Sequence, residues 1–366
     1  VLVVNAGSSS LKLSVIGSED ETLASAEVSA PRSVVDDDEL RAALGHGGLG
    51  EADAVGHRIV HGGSRFLDAV VVDDAVRRAL GELADLAPLH QPKSLAALDA
   101  VSRALPGVPE VACFDTAFHA TLPEAAFTYA LPAGWSSRWG VRRYGFHGLS
   151  HAWIARRVPS LLGASGASSG LRIVSCHLGA GASLCAIAGG RSVDTTMGFT
   201  PLEGLVMATR SGSVDPGLVL WLLSRGDLSE DELGHALEHE SGLLGLSGTA
   251  DMREVLARAG GGNAAARLAL DVYVHRLRAL IASMAAALGG LDVLAFTGGV
   301  GEHNAEIRAA AASGLSFLGV GVDPARNDGA SGDVEISAAA AGVRTVVIQA
   351  REDLEIAGQV RSLLRA

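Results

Sequence analysis

Five short segments place charged or imidazole side chains at the ends of apolar runs, where burial would otherwise disfavour them. HRIVHGG holds Arg58 and His61, CFDTAFH holds Asp115 and His119, and RRYGFHGLSH holds His147 and His151. TPLEGLVMATRSG holds Glu203 and Arg210, and QAREDLEIA holds Glu352 and Asp353. Taken singly, each reads equally as a cap, a loop ion pair or a helix-end histidine. Together they supply parts that phosphoryl transfer to a carboxylate requires: cations for an anionic acceptor, cations on the moving group, and acidic groups for a divalent ion. Arg58 and Arg210 can clamp carboxylate or phosphoryl oxygens through two N–H groups at once. His147 can donate to the equatorial oxygens, and Asp115 and Glu352 can hold Mg²⁺ directly or through water. A carboxylate is already a nucleophile, so this chemistry needs no strong general base.

A nucleotide also needs a seat. The chain opens strand, glycine turn, strand (VLVVN, AGSSS, LKLSV), and the same grammar returns at 171–187 (LRIVSCH, LGAGAS, LCAIA). Such a turn aims backbone N–H groups and hydroxyls to one side, and glycine lets a phosphate approach the backbone. Asn5 to Ser10 and His177 to Ser183 meet this description, and a third loop, GGVGEHN at 298–304, follows an apolar strand. Each loop alone is more often only a turn; three at strand ends are harder to dismiss. No G-x-x-x-x-G-K-[ST] occurs, which excludes a P-loop NTPase, and G-x-G-x-x-G fails at all three loops, which argues against a dinucleotide fold. His147/His151 and His235/His239 have i, i+4 spacing but no third ligand at sensible spacing, so no zinc site is expected. His235 and His239 read as a solvated helix face.

The elements that must position these residues follow from length and pattern. The 366 residues suit two domains, and 48% hydrophobic content is enough for two cores. The net charge is -12 and no basic run suggests a nucleic-acid surface, so an anionic substrate must be held by local arginines. Lys12 and Lys93 are the only lysines; this and the alanine richness read as a base-composition bias. Cys113, Cys176 and Cys185 lie in or beside apolar runs and read as buried thiols in a reducing compartment. The opening VLVV has no basic leader, and the longest apolar candidate, 264–288, carries Arg267, Asp271, His275, Arg276 and Arg278. The expectation is a soluble cytoplasmic protein with no membrane or nucleic-acid partner.

Besides the two hairpins, residues 54–60, 108–114, 292–299 and 343–350 read as strands. Helices are expected over 73–86, 93–104, 149–162, 216–225, 229–239, 251–259 and 263–289, near Asn304, and from about Glu352. The class is α/β with mixed sheets. The small-residue stretch SLLGASGASSG at 160–170 lies close to a boundary, giving domains 1–148 and 149–351. The C-terminal helix, about 352–366, is a candidate to return to the first.

These segments together resemble the acetate and propionate kinase family. The segments are NAGSSSLK, GHRIVHGG, FDTAFH, YGFHGLSH, HLGAGAS, MGFTPLEGLVMATRSG, FTGGVGEHN and AREDLEIA, covering nearly the whole chain. The resemblance implies an actin-like ATPase fold, two duplicated ribonuclease H-like domains with an interdomain cleft that closes on Mg-ATP, and a homodimer. It implies reversible transfer from ATP to acetate, giving acetyl phosphate and ADP, with Mg²⁺ and with Mn²⁺ as a possible substitute. Asn5 and Glu352 match the metal-associated residues. Arg58, Arg210, His90, Asp115 and His147 match catalytic positions, with Arg210 and His147 on the transferring phosphoryl. Val60, Leu89, Phe146 and Pro201 match the acyl pocket. Lys12, the loop His177, Leu178, Gly179, Ala180 and Gly181, the trio Asp251, Met252 and Arg253, and the run Gly298, Gly299, Val300, Gly301 and Glu302 match nucleotide contacts.

The chain departs from the family pattern at Ala180, where asparagine is usual, at Ser213, where aspartate is usual, at Gln91 to Ser94, and at Arg351. Two rivals stand beside the acetate reading. One is a kinase of propionate or another short acid. The other is a nucleotide-dependent scaffold of the same fold.

Overall fold

In a computed structural model, the structure describes residues 1–7, 10–29, 36–87, 91–163 and 170–365. The first sheet contains β1 (Leu2–Ala6), β2 (Ser10–Ile16), β3 (Thr22–Ser29), β4 (Val55–Ile59), β5 (Val70–Val71) and β6 (Glu110–Phe114), in the order β3-β2-β1-β4-β6-β5. The second contains β7 (Arg172–Leu178), β8 (Ala182–Ala188), β9 (Arg191–Thr195), β10 (Val293–Thr297), β11 (Val334–Glu335) and β12 (Arg344–Val347), in the order β9-β8-β7-β10-β12-β11. The two orders are the same, and so are the directions. An antiparallel three-strand meander leads into two parallel neighbours, and an antiparallel edge strand ends the sheet. The hairpin grammar repeated at residues 1–15 and 171–187 is the visible part of this duplication, which is the expected actin-like layout.

Chain contacts define two units. The first comprises Val1–Ala120, His147–Trp153 and Arg351–Ala366; the second comprises Thr121–Phe146 and Ile154–Ala350. This partition assigns 121–146 to the second unit, where the sequence boundary sits at 148/149.

In the first unit the strand period of two sorts β1 onto two faces. Leu2 and Val4 join Leu11, Leu13 and Val15 beneath Leu40, Leu44, Ala97 and Val101, which belong to the helices Asp37–Leu44 and Gln91–Ala104. Val3 turns the other way with Ile16, Val111 and Cys113, and meets Leu354, Ile356, Ala357 and Val360 of the C-terminal helix Glu352–Arg365. That helix therefore closes a face of the first sheet. In the second unit, β10 is buried along its whole length and β8 nearly so, as central strands covered on both faces must be.

Two expectations change in detail. Gly298 to His303 is a helix rather than a loop, starting directly at the end of β10. The helix expected at 229–239 ends at His235, and a π-turn, Ala236–Glu240, follows it. The three cysteines are buried and form no disulfide. No helix among the described residues is long and apolar enough to cross a membrane.

Gly56 marks how closely the C-terminal helix approaches. A Cβ there would lie 2.5 Å from Ile356 Cγ2 and 2.8 Å from Val360 Cγ2. Gly56→Ala should lower the unfolding free energy by about 1–3 kcal/mol through overpacking. In an Ile356→Ala background its cost should be smaller, as read by urea denaturation; equal costs in both backgrounds would contradict this packing.

His61, just after β4, is fully buried. Its Nδ1 accepts from Gly63 N–H at 2.8 Å, which requires an unprotonated nitrogen there, and burial lowers its pKa to about 4. An unfolded histidine titrates near ~6.5. The folded pKa is the lower one, so between the two values the unfolded chain binds more protons and stability falls as pH drops. The loss should be on the order of 3 kcal/mol from neutrality to pH ~4. His61→Gln should flatten this stretch of the stability–pH curve; unchanged acid sensitivity would contradict it.

Candidate functional site

In the first unit, β1, β4 and β6 are adjacent and parallel where they pair, so their carboxyl ends fall at one edge of the sheet. Parallel α/β sheets generally bind ligands at that edge. Asn5 lies near the end of β1, Arg58 near the end of β4, and Asp115 immediately after β6. Arg58 Nε and Nη2 donate to the two Asp115 carboxylate oxygens at 3.0 and 2.6 Å, and Nη1 donates to Asn5 Oδ1 at 3.1 Å. Glu352, the first residue of the C-terminal helix, brings Oε2 to 3.8 Å from Arg58 Nε. The Asp115 side chain is 3% exposed, that of Glu352 15% and that of Arg58 20%.

The cluster has two carboxylates for one guanidinium. Burial works against the Arg58 charge, but Asp115 and then Glu352 outweigh it and hold the group more firmly protonated than an ordinary arginine. For Glu352, burial raises the pKa; Arg58 opposes this, while Asp115 and Asp353 add to it, and the net direction is up. Burial therefore makes ionisation of Glu352 costly, and Arg58 is the neighbour that favours its charged form.

His147 has φ of 56°, left-handed and uncommon for a side-chain-bearing residue. The next residue, Gly148, donates its N–H to the Asp115 carbonyl at 2.7 Å, which ties this strained turn to the end of β6. Val60 follows β4, and Lys12 sits on the exposed side of β2 opposite Asn5. Leu89 and His90 lie outside the described residues, as do Ser8 and Ser9 of the first glycine loop.

In the second unit, Arg210 is held from two sides. Its Nε pairs with Glu238 Oε2 at 3.0 Å, and its Nη1 donates to the Pro201 carbonyl at 3.4 Å. Glu238 comes from the π-turn, and Ser211 N–H, Ser241 N–H and the Thr209 hydroxyl cross-link that turn to residues 209–211. π-Turns are rare and concentrate at functional sites. Sequence reading missed Glu238, because a one-residue expansion inside a helical pattern leaves no periodic signature.

The second glycine loop turns between β7 and β8. Gly179 and Ala180 line a cavity of about 410 Å³ with Asp251, Met252, Arg253, Gly299 and Val300. The three nucleotide segments named from sequence are thus brought together. His303 and Asn304, from the third loop read at 298–304, also line the cavity, as do Tyr273 and Leu243, which the sequence did not single out. Asp251 caps the helix Met252–Gly260, and Arg253 draws its carboxyl down to about 2 through a side-chain hydrogen bond. Of the neighbouring positions, Leu178 and Gly298 are buried and His177 partly so. Glu302 turns inward: its Oε1 accepts from Gly298 N–H and Ala350 N–H, both at 2.9 Å. Pro201 and Phe146 also belong to this unit, with Phe146 buried.

The His235 and His239 rings lie with centroids 4.9 Å apart at a tilt of 49°, and the His235 side chain is exposed. Among the described residues no group of three histidine, cysteine, aspartate or glutamate side chains could hold a metal by itself.

Comparison with known proteins bears on this arrangement. The profile of the acetokinase family matches residues 38–358. An acetate kinase of Nostoc sp. is 49% identical over 320 residues, 87% of this chain and 78% of that protein. An acetate kinase of Leifsonia xyli is 46% identical over 395 aligned positions, covering 100% of this chain and 99% of that protein. The crystal structure of Porphyromonas gingivalis acetate kinase superposes with a TM-score of 0.90 at 34% identity, covering 99% of both chains. A propionate kinase from Francisella tularensis superposes with a TM-score of 0.90 at 33% identity, covering 98% of both. With most of its length matched by the profile and by relatives approaching half identity, the chain belongs to the acetokinase family.

Proposed function

We propose that this protein is an acetate kinase that reversibly transfers the γ-phosphoryl group of ATP to acetate. One acetate oxygen bonds to the γ-phosphorus as the bond to the β–γ bridging oxygen breaks, and the products are acetyl phosphate and ADP. No proton is moved. The carrying observation is the Arg58–Asp115–Asn5–Glu352 cluster at the strand ends of a chain in this family.

In this reading Asp115 fixes the Arg58 guanidinium through a two-bond fork, so that its charge is aimed before substrate arrives. Arg210 and His147 stabilise charge spread over the phosphoryl oxygens, and His90 contributes to the same set. Val60, Leu89, Phe146 and Pro201 receive the methyl group. The cavity beside Asp251–Arg253 and Gly299–Val300 receives the nucleoside, with His177 to Gly181 and Lys12 toward the phosphates. The inward carboxylate of Glu302 holds the start of the helix Gly298–His303 against Ala350.

The donor set fits Mg²⁺. This hard ion takes oxygen ligands and is commonly held by one or two carboxylates plus substrate phosphates. Asn5 Oδ1 and the Glu352 carboxylate are such donors, and they stand in a cluster where two carboxylates, Asp115 and Glu352, face one guanidinium. When bound, the ion neutralises charge on the phosphate oxygens, and Mn²⁺ is a chemically reasonable substitute.

A second reading, propionate kinase, is favoured by the likeness to the Francisella enzyme. One methylene is worth only about 1–3 kcal/mol in an apolar pocket, so the two activities lie close together. Trapping acyl phosphate with hydroxylamine, using ATP, Mg²⁺ and acetate, propionate or butyrate, separates them. Hydroxamate from acetate with the highest kcat/KM is expected; preference for propionate moves the assignment, and no product from any acid leaves only the scaffold reading.

Arg58→Ala and Arg210→Ala should each lower kcat by on the order of 100-fold, the effect of about 3 kcal/mol of lost transition-state stabilisation. Near-normal turnover in either variant would remove that residue from the mechanism.

A homodimer in the cytoplasm completes the proposal. The helix Pro216–Arg225 has no buried residue, and its Leu218, Leu220 and Trp221 are exposed by 45%, 68% and 53%, an apolar surface suited to a second copy. Trp221→Lys should shift the species seen by sedimentation velocity from dimer to monomer; an unchanged dimer would place the interface elsewhere.

A further inference from the structure

Glu203 stood out in the sequence, and the reaction as described gives it no part. It belongs to the segment that carries Pro201, and a small network joins that segment to residues 129–146, all within the second unit. Tyr129 Oη donates to Glu203 Oε2 at 2.6 Å and accepts from Phe199 N–H at 2.9 Å. Arg143 Nη2 donates to Glu203 Oε1 at 2.8 Å, while its Nη1 donates to the carbonyls of Thr196 and Met197 at 3.2 and 3.0 Å. Both carboxylate oxygens of Glu203 are therefore engaged.

Gly198 lies beneath this network. A Cβ at that position would overlap the Glu203 carboxylate and the Tyr129 hydroxyl, so the backbone there is in direct contact with the pair. The Gly198 carbonyl accepts from Tyr144 N–H at 3.0 Å and from Gly145 N–H at 3.2 Å, and Phe146 follows next in the chain. Pro201 and Phe146, the two acyl-pocket residues of this unit, thus hang from one framework. Burial, and next the hydrogen bond to Glu203, raise the Tyr129 pKa, so the phenol remains a donor at neutral pH. Loss of its hydroxyl would leave Phe199 N–H and one Glu203 oxygen short of a partner, and a partly buried network short of partners relaxes.

We propose that Glu203, braced by Tyr129 and Arg143, is a positioning residue that sets the place of Pro201 and thereby the length of acyl chain the site accepts. The proposal rests on the acyl kinase reading. It predicts a change in discrimination between acids with nucleotide binding untouched, whereas a merely structural role would lower activity on every acid alike.

The test compares kcat/KM for acetate, propionate and butyrate, together with the KM for ATP, in the full-length wild type, Tyr129→Phe and Glu203→Gln. Both variants should shift the acetate-to-propionate ratio toward propionate by about three- to tenfold, part of the roughly 10–200-fold that one methylene commands. The shift should appear in the KM for the acid, with the KM for ATP unchanged. Equal losses on all three acids, or an unchanged series, would overturn the proposal. Absence of acyl phosphate with the wild type would instead defeat the kinase reading, and that result is seen before any substitution is made. Should Glu203→Gln fail to fold, Tyr129→Phe, which lacks a single hydroxyl, carries the comparison alone.

Discussion

The forked ion pair between Arg58 and Asp115 is the constraint on which the first unit's site depends. A guanidinium this deep is tolerated only with a carboxylate against it, and a carboxylate as buried as Asp115 needs the guanidinium in return. The two come from neighbouring parallel strands, β4 and β6, so the pair also fixes where those strands end relative to each other. Asn5, from the strand on the other side of β4, takes the remaining guanidinium edge. Once this is set, Glu352 is left near a cation already claimed by another carboxylate.

The second unit repeats the sheet order and uses the same edge differently. Where the first unit ends its strands in charged side chains, the second ends β7 and β10 in glycine-rich backbone, leaving a cavity instead of an ion-pair cluster. Its arginine is supplied by an irregular segment, and its glutamate partner by a π-turn. Duplication thus provides two scaffolds of one topology, one specialised for fixed charge and one for space.

Much of this was legible in the sequence, for physical reasons that differ by residue. Arg58 and Asp115 stood out because a charge at the end of an apolar strand needs an explanation. The hairpin loops stood out because glycine and serine cluster where strands reverse. The helix Gly298–His303 was read as a loop because four of its first residues include three glycines, which disfavour helix locally; packing at the end of β10 overrides that preference. Glu203 was visible as an oddity, but its partners lie 60 and 74 residues away, and no local pattern encodes such a distance. Glu238 was hidden more completely, since a π-turn looks like an ordinary helix turn until its hydrogen bonds are drawn.

The unifying idea is that the protein positions and neutralises while the carboxylate of the substrate does the bond-making, so no side chain becomes phosphorylated. The stereochemical course at phosphorus tests this most directly. With ATP made chiral at the γ-phosphorus by oxygen isotopes, a single in-line transfer to acetate gives acetyl phosphate of inverted configuration. Retention would require a phosphorylated protein intermediate and would contradict the account.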